Sequence, residues 1–96
     1  LQFGPLQLDL SAKRVMLNGE AVELTAYEYK LLEYLVLHAG KILSKTELTE
    51  HLYAQDHDRD SNVLEVFVRR LRQKLDPETS LKPIETVRGQ GYRFIL

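Results

Sequence analysis

The stretch from Ser61 to Leu75, SNVLEVFVRRLRQKL, constrains the fold more than any other part of the chain. Its apolar residues recur with the period of a helix, and the stretch is long enough for about four turns. The face predicted to pack on a core comprises Leu64, Phe67, Val68, Leu71 and Leu75. The outer side comprises Asn62, Val66, Arg69 and Gln73, with Glu65 and Arg70 on its shoulders and Arg72 nearer the core boundary.

One small apolar residue, Val66, lies on this otherwise polar outer side. A valine among arginines and amides suits a surface that meets thymine methyl groups, in a groove where Arg, Asn or Gln can read base edges. The alternative is a solvated face with one exposed valine, because isolated exposed apolar residues are common on protein surfaces. The helix by itself leaves both interpretations open.

The length of 96 residues predicts one small domain, and 44% hydrophobic residues are enough for one compact core. No apolar run is long enough for a transmembrane helix, and no signal-peptide pattern opens the chain, so no membrane partner is expected. The lack of cysteine excludes disulfides and thiolate metal sites, and it fits the reducing cytoplasm. Because the chain begins at Leu1 in a strand-like pattern, we expect a domain from a longer protein.

The net charge of −1 hides an asymmetry along the chain. Residues 1–61 contain six Lys or Arg against ten Asp or Glu, whereas residues 62–96 contain seven against four. Association with a polyanion depends on the local field as well as on the total charge. The basic third of the chain, which includes the arginine-bearing helix, is therefore the part predicted to meet nucleic acid.

The first 24 residues predict up to four short antiparallel strands. Leu6, Leu8 and Leu10 alternate with polar residues, as in a half-buried strand. Asn18-Gly19 is a strong signal for a type I′ hairpin turn, since both central residues of that turn need a positive φ. Two capping boxes follow, TAYE from Thr25 and SKTE from Ser44, and each predicts the start of a helix.

The end of the chain, Ile84 to Leu96, predicts a basic β-hairpin with Arg88 in its turn. Two helices, of which the second is rich in arginine, followed by such a hairpin indicate an α+β winged helix-turn-helix. The second helix would enter the major groove, and Arg88 would reach a minor groove.

The sequence gives less support to metal binding, dinucleotide binding or catalysis. The alternation of Asp56, Asp58 and Asp60 begins like a calcium loop, but Ser61 and Phe67 stand where glycine and a bidentate glutamate are needed. The segment Gly89-Gln90-Gly91 lacks the third glycine of a dinucleotide fingerprint. We therefore expect no cofactor, no metal and no catalysis.

Three segments together resemble one known family. They are LTAYEYKLLEYLVLHAGKILSKTELTEHLY, SNVLEVFVRRLRQKL and TVRGQGYRF, in that order after an N-terminal sheet. The whole chain resembles the effector domain of OmpR/PhoB-type response regulators, and TVRGQGYRF is similar to the PhoP-like members. The resemblance implies one domain over residues 1–96, with a four-stranded antiparallel sheet, three helices and a C-terminal hairpin wing. It also implies sequence-specific binding of double-stranded DNA in the control of transcription.

The resemblance further implies a role for individual residues. The predicted base contacts are Asn62, Val66, Arg69 and Arg70. The predicted contacts to the DNA backbone or minor groove are Lys45, Tyr53, Arg72, Thr86, Arg88 and Tyr92. A loop that would face RNA polymerase contains Gln55, Asp56, His57, Asp58 and Arg59.

Two positions depart from the family pattern. Phe67 stands where relatives often carry a polar residue, and the helical wheel places it at the edge of the core. Asn62 stands where some relatives carry arginine.

The resemblance also implies partners. The domain would bind direct-repeat DNA as a tandem homodimer and would contact RNA polymerase. A receiver domain, which is absent from this chain, and a sensor histidine kinase would regulate it. A competing hypothesis is a winged helix that binds an acidic protein, and a small hydrolase is a remote third.

Overall fold

The computed structural model describes residues 1–52, 61–79 and 81–96 of the chain. It begins with four strands, β1 Gln2–Phe3, β2 Leu6–Asp9, β3 Arg14–Leu17 and β4 Glu20–Val22. Each strand pairs with the next, so they form one antiparallel sheet in the order β1-β2-β3-β4. Leu6 and Leu8 are buried while Gln7 and Asp9 are exposed, so the alternation in the sequence sets which face covers the core.

The turn between β3 and β4 has the predicted conformation. Asn18 and Gly19 have φ values of 54° and 80°, as a type I′ turn requires. The register follows from this turn, because Leu17 faces Glu20 and Val15 faces Val22. The N-terminal four-stranded sheet is thus confirmed.

Three helices follow within the described residues: α1 Ala26–Leu37, α2 Lys45–Leu52 and α3 Ser61–Leu75. The capping box at Thr25 is complete, since the Thr25 hydroxyl accepts from the Glu28 amide and the Glu28 carboxylate accepts from the Thr25 amide. At the start of α2, the Ser44 hydroxyl accepts from the Glu47 amide, while the Glu47 carboxylate accepts from the Tyr34 hydroxyl at 2.6 Å. Ser44 therefore caps α2, but the predicted box is only half formed among the described residues, because the Glu47 carboxylate joins α2 to α1 and does not return to the Ser44 amide.

The C-terminal hairpin consists of β5 Ile84–Val87 and β6 Gly91–Phe94. Leu43, in the connection between α1 and α2, forms an antiparallel bridge with Tyr92 of β6. Gly91 makes this approach possible, because a Cβ atom there would lie 2.0 Å from the carbonyl oxygen of Leu43. The hairpin is thereby fixed against the residues that lead into α2.

One core joins these elements. The apolar face of α3 is buried as expected, and Phe67 is only 9% exposed with its ring stacked on Tyr27 at 5.7 Å between centroids. Phe3 of β1 meets Phe94 of β6 edge to face at 5.1 Å, which links the N-terminal sheet to the hairpin. The winged helix-turn-helix architecture is confirmed. Among the described residues, no helix combines the length and apolar character that crossing a bilayer requires.

Candidate nucleic-acid interface

The outer face of α3 presents two free cationic side chains. Arg69 and Arg70 are exposed, and Val66 is half-buried one turn earlier. Within the part of the chain that the structure describes, neither arginine makes a hydrogen bond or an ion pair. Their guanidinium groups are therefore available to a ligand, and their planar donor forks suit phosphate oxygens or a guanine edge.

The inner side of α3 makes an ion pair with a buried carboxylate of α1. The Lys74 ammonium lies 2.6 Å from the Glu28 carboxylate of α1, and Glu28 is 1% exposed. Burial raises the pKa of Glu28, but the hydrogen bonds and charge of Lys74 and the Thr25 bonds outweigh it, so the pKa lies below its ordinary value. The other Glu28 carboxylate oxygen, Oε2, is buried without a hydrogen bond among the described residues. This pair and the buried apolar face of α3 together fix which side of the helix faces the core.

The hairpin carries Arg88 at its tip. Arg88 is exposed, and it has no hydrogen-bonded or ionic partner within the described residues. Gly89 has a φ of 75°, a left-handed conformation that glycine adopts without steric cost. The turn therefore projects a free guanidinium group away from the body of the domain.

Arg72 connects α3 to the hairpin. Its guanidinium group donates to the Ile84 carbonyl at 3.0 Å and to the Thr86 hydroxyl at 2.6 Å. It also lies 5.9 Å from the centroid of the Tyr92 ring, which is a cation–π distance. Arg72 thus holds β5 and β6 at a set position beside α3, and Tyr92 is a buried part of that joint.

A second lysine–glutamate pair lies on the outer side. The ammonium of Lys45, the first residue of α2, is 2.7 Å from the Glu65 carboxylate of α3. The hydrogen bond from Lys45 to Glu65, the charge of Glu65 and the nearby Tyr92 hold the pKa of Lys45 above its ordinary value. Lys45 is therefore charged throughout the neutral range, and the pair has no net charge.

The structure brings four of the predicted site residues together where α2, α3 and the hairpin meet. Lys45, Arg72, Thr86 and Tyr92 form a connected series from α2 through α3 to the hairpin. Tyr53, the segment 55–59 and the side chain of Asn62 lie outside the described residues. Nothing in the sequence indicates the role of Glu65, because its partner is twenty residues away along the chain and no local pattern joins them.

Comparison with known proteins identifies the family. Residues 19–94 match the family model described as "Transcriptional regulatory protein, C terminal". The chain belongs to this family. It is a PhoP-like effector domain of the OmpR/PhoB type, and the family consists of DNA-binding domains of transcriptional regulators, not of enzymes.

Two relatives cover almost the whole domain. The two-component response regulator PhoP of Pseudomonas aeruginosa is 51% identical over 94 residues, which are 98% of this chain and 42% of that protein. The transcriptional regulatory protein PhoP of Escherichia coli is 41% identical over 96 residues, which are 100% of this chain and 43% of that protein. The effector domain thus spans less than half the length of the curated relatives it matches.

A solved structure gives the same fold. The DNA-binding domain of RstA from Klebsiella pneumoniae, in complex with the RstA box, superposes with a TM-score of 0.85 at 36% identity. The match covers 99% of this chain and 95% of that chain. The similarity therefore extends over the sheet, the helices and the hairpin together.

Proposed function

We propose that this effector domain binds double-stranded DNA sequence-specifically by placing α3 in the major groove. Arg69 and Arg70 read base edges there, Val66 packs on a thymine methyl group, and Asn62 adds a further base contact. The observation that carries the proposal is a pair of exposed arginines, without partners among the described residues, on a helix whose other face is packed in the core. The RstA domain solved with its DNA box supports the proposal by its likeness.

The hairpin serves in this proposal as the wing. Arg88 enters the adjacent minor groove, where negative potential attracts a guanidinium group. The DNA backbone lies along Lys45, Tyr53 and Thr86, and these contacts set the register of α3. Tyr92, only 5% exposed, acts by supporting the wing. Arg72, whose donors are engaged by Ile84 and Thr86, acts mainly by holding the wing at the angle that lets α3 and Arg88 reach one duplex.

The full-length protein would use this domain under the control of other partners. By likeness to the PhoP proteins, we propose that a receiver domain and a sensor histidine kinase regulate it in the cytoplasm. Two copies would bind direct-repeat half-sites as a tandem dimer. The segment 55–59 would contact RNA polymerase, and its acidic character suits a protein partner better than DNA.

Salt-dependent titration of duplex DNA tests the DNA-binding proposal. We expect Arg69→Ala and Arg70→Ala each to weaken binding to a selected half-site by about 1–3 kcal/mol and to relax preference at one position. Arg88→Ala should weaken binding and reduce the salt dependence by about one ion. The matched control is Lys30→Ala, which removes an exposed charge from α1. Unchanged duplex affinity in all three arginine variants would overturn the proposal.

A further inference from the structure

The outer face of α3 contains a carboxylate where a DNA-binding surface would be expected to be cationic. Glu65 directly precedes Val66, and Arg69 follows it by one helical turn. The side chains of Glu65 and Lys45 are 50% and 58% exposed, so the pair is open to solvent and to a ligand. Glu65 thus lies between Val66, a proposed base contact, and Lys45, a proposed phosphate contact.

The pair changes what Lys45 can contribute to binding. A lysine that neutralises a phosphate releases a condensed counterion, and this release drives sequence-independent affinity for DNA. While Lys45 is bonded to Glu65 its charge is already compensated, so its contact with a phosphate adds little net attraction. The carboxylate also repels phosphates unless Lys45 stays beside it.

The Glu65 carboxylate can also accept a hydrogen bond in the major groove. Glutamate accepts a hydrogen bond from the N4 amino group of cytosine, whereas the acceptor atoms of the groove, such as guanine O6 and N7, repel it. An exposed ion pair is weak and exchanges its partners readily. Glu65 can therefore exchange Lys45 for a cytosine, and Lys45 then becomes free for a phosphate.

We propose that Glu65 is a specificity-determining residue that couples base readout to phosphate contact. On unrelated duplexes Glu65 keeps Lys45 neutralised and so lowers the affinity. On the correct half-site the Glu65 carboxylate accepts from a cytosine N4 amine and releases Lys45 to the backbone. This inference rests on the proposed DNA binding, and it adds the coupling between the two contacts.

Glu65→Gln tests the coupling because it removes the charge and keeps the shape. The affinities for a random-sequence duplex and for a selected half-site are measured between about 50 and 200 mM salt. On the random duplex we expect Glu65→Gln to bind several-fold more tightly, with a slope of log K against log salt that is steeper by about 0.9. On the half-site, discrimination at one cytosine should fall by about tenfold.

Glu50→Gln is the matched control, since Glu50 is an exposed glutamate of α2 and its change alters the net charge equally. We expect Glu50→Gln to leave the slope and the cytosine preference at their wild-type values. Equal effects in the two variants would show a role of net charge alone and would overturn the proposal. A wild-type slope and preference in Glu65→Gln would overturn it as well.

The two proposals fail in different ways. If the unaltered domain shows no salt-dependent binding to duplex DNA, the proposed function is wrong. If the unaltered domain binds and Glu65→Gln behaves identically, only the coupling through Glu65 is wrong. Thermal melting by circular dichroism, run on each variant, confirms that the compared proteins are folded.

Discussion

Two lysine–glutamate pairs hold α3 to its neighbours, one on each side of the helix. The inner pair joins Lys74 to Glu28 of α1 at 2.6 Å, and the outer pair joins Glu65 to Lys45 of α2 at 2.7 Å. The two distances are nearly equal. The environments differ, because the Glu28 side chain is 1% exposed and that of Lys74 is 36% exposed, whereas the side chains of the outer pair are both at least half exposed.

Burial, and not the distance between lysine and glutamate, determines how much each pair contributes to folding. A buried carboxylate has lost its water and depends on its remaining partners, so removal of one partner leaves an uncompensated group. Glu28 also closes the capping box of α1, which makes one side chain serve two elements. The outer pair keeps its water and is screened by salt, so it contributes little to folding and stays available for exchange with a ligand.

The largest effect is expected from Glu28→Ala. The change removes the capping-box acceptor and empties a buried position, so we expect a loss of about 2–3 kcal/mol in the free energy of unfolding. The remaining Lys74 is 36% exposed and is hydrated by solvent, so it adds little to this loss. Urea denaturation followed by circular dichroism measures this loss, since the chain has no Trp for fluorescence. Glu50→Ala is the control and should change stability by less than about 0.5 kcal/mol. If Glu28→Ala lowers the free energy of unfolding as little as the control does, burial of Glu28 does not make the inner pair important for stability.

The same carboxyl group should make stability depend on pH. The pKa of Glu28 is lower in the folded domain than its ordinary value of 4.5, so the unfolded chain binds the proton more readily. The stabilisation is therefore complete above about pH 4.5 and is lost as the pH falls through the folded pKa.

Denaturation midpoints measured from pH 7 to pH 3 should accordingly fall more steeply for the unaltered domain than for Glu28→Gln. Asp9 is the appropriate comparison, because hydrogen bonds from Ala12 and Ser11 lower its pKa in an exposed turn. Asp9→Asn should remove less of the acid dependence than Glu28→Gln. The reverse order would mean that the exposed turn, and not the inner pair, dominates the acid response.

The two pairs also show which features of the structure the sequence could not predict. The strands, the Asn18-Gly19 turn, the Thr25 cap and the span of α3 follow from local patterns, and all were predicted. Neither lysine–glutamate pair was, since Glu28 and Lys74 are 46 residues apart and Lys45 and Glu65 are 20 apart. Contacts of this kind depend on how helices pack, and periodicity predicts only which faces pack.

The joint between α3 and the wing should have an effect of intermediate size. Arg72→Met keeps the aliphatic stem but removes the hydrogen bonds to the Ile84 carbonyl and the Thr86 hydroxyl. We expect a loss of about 1–2 kcal/mol in unfolding free energy. Thr86→Val removes only one of these bonds and should cost about half as much. If both changes are neutral, Arg72 is free in solution and its role as a joint is wrong.

The smallest effect on stability is expected from Glu65→Gln. The change breaks an ion pair that is 2.7 Å long, yet both side chains are surrounded by water before and after it. The Coulomb attraction in water is small, and holding two long side chains in one geometry costs entropy, so the two terms nearly cancel. The melting temperature should therefore remain that of the unaltered domain, in contrast to the drop of several degrees expected for Glu28→Ala. Melting curves at low and high salt provide the measurement, and a salt-dependent drop in Glu65→Gln comparable with that of Glu28→Ala would show that the outer pair also supports the fold.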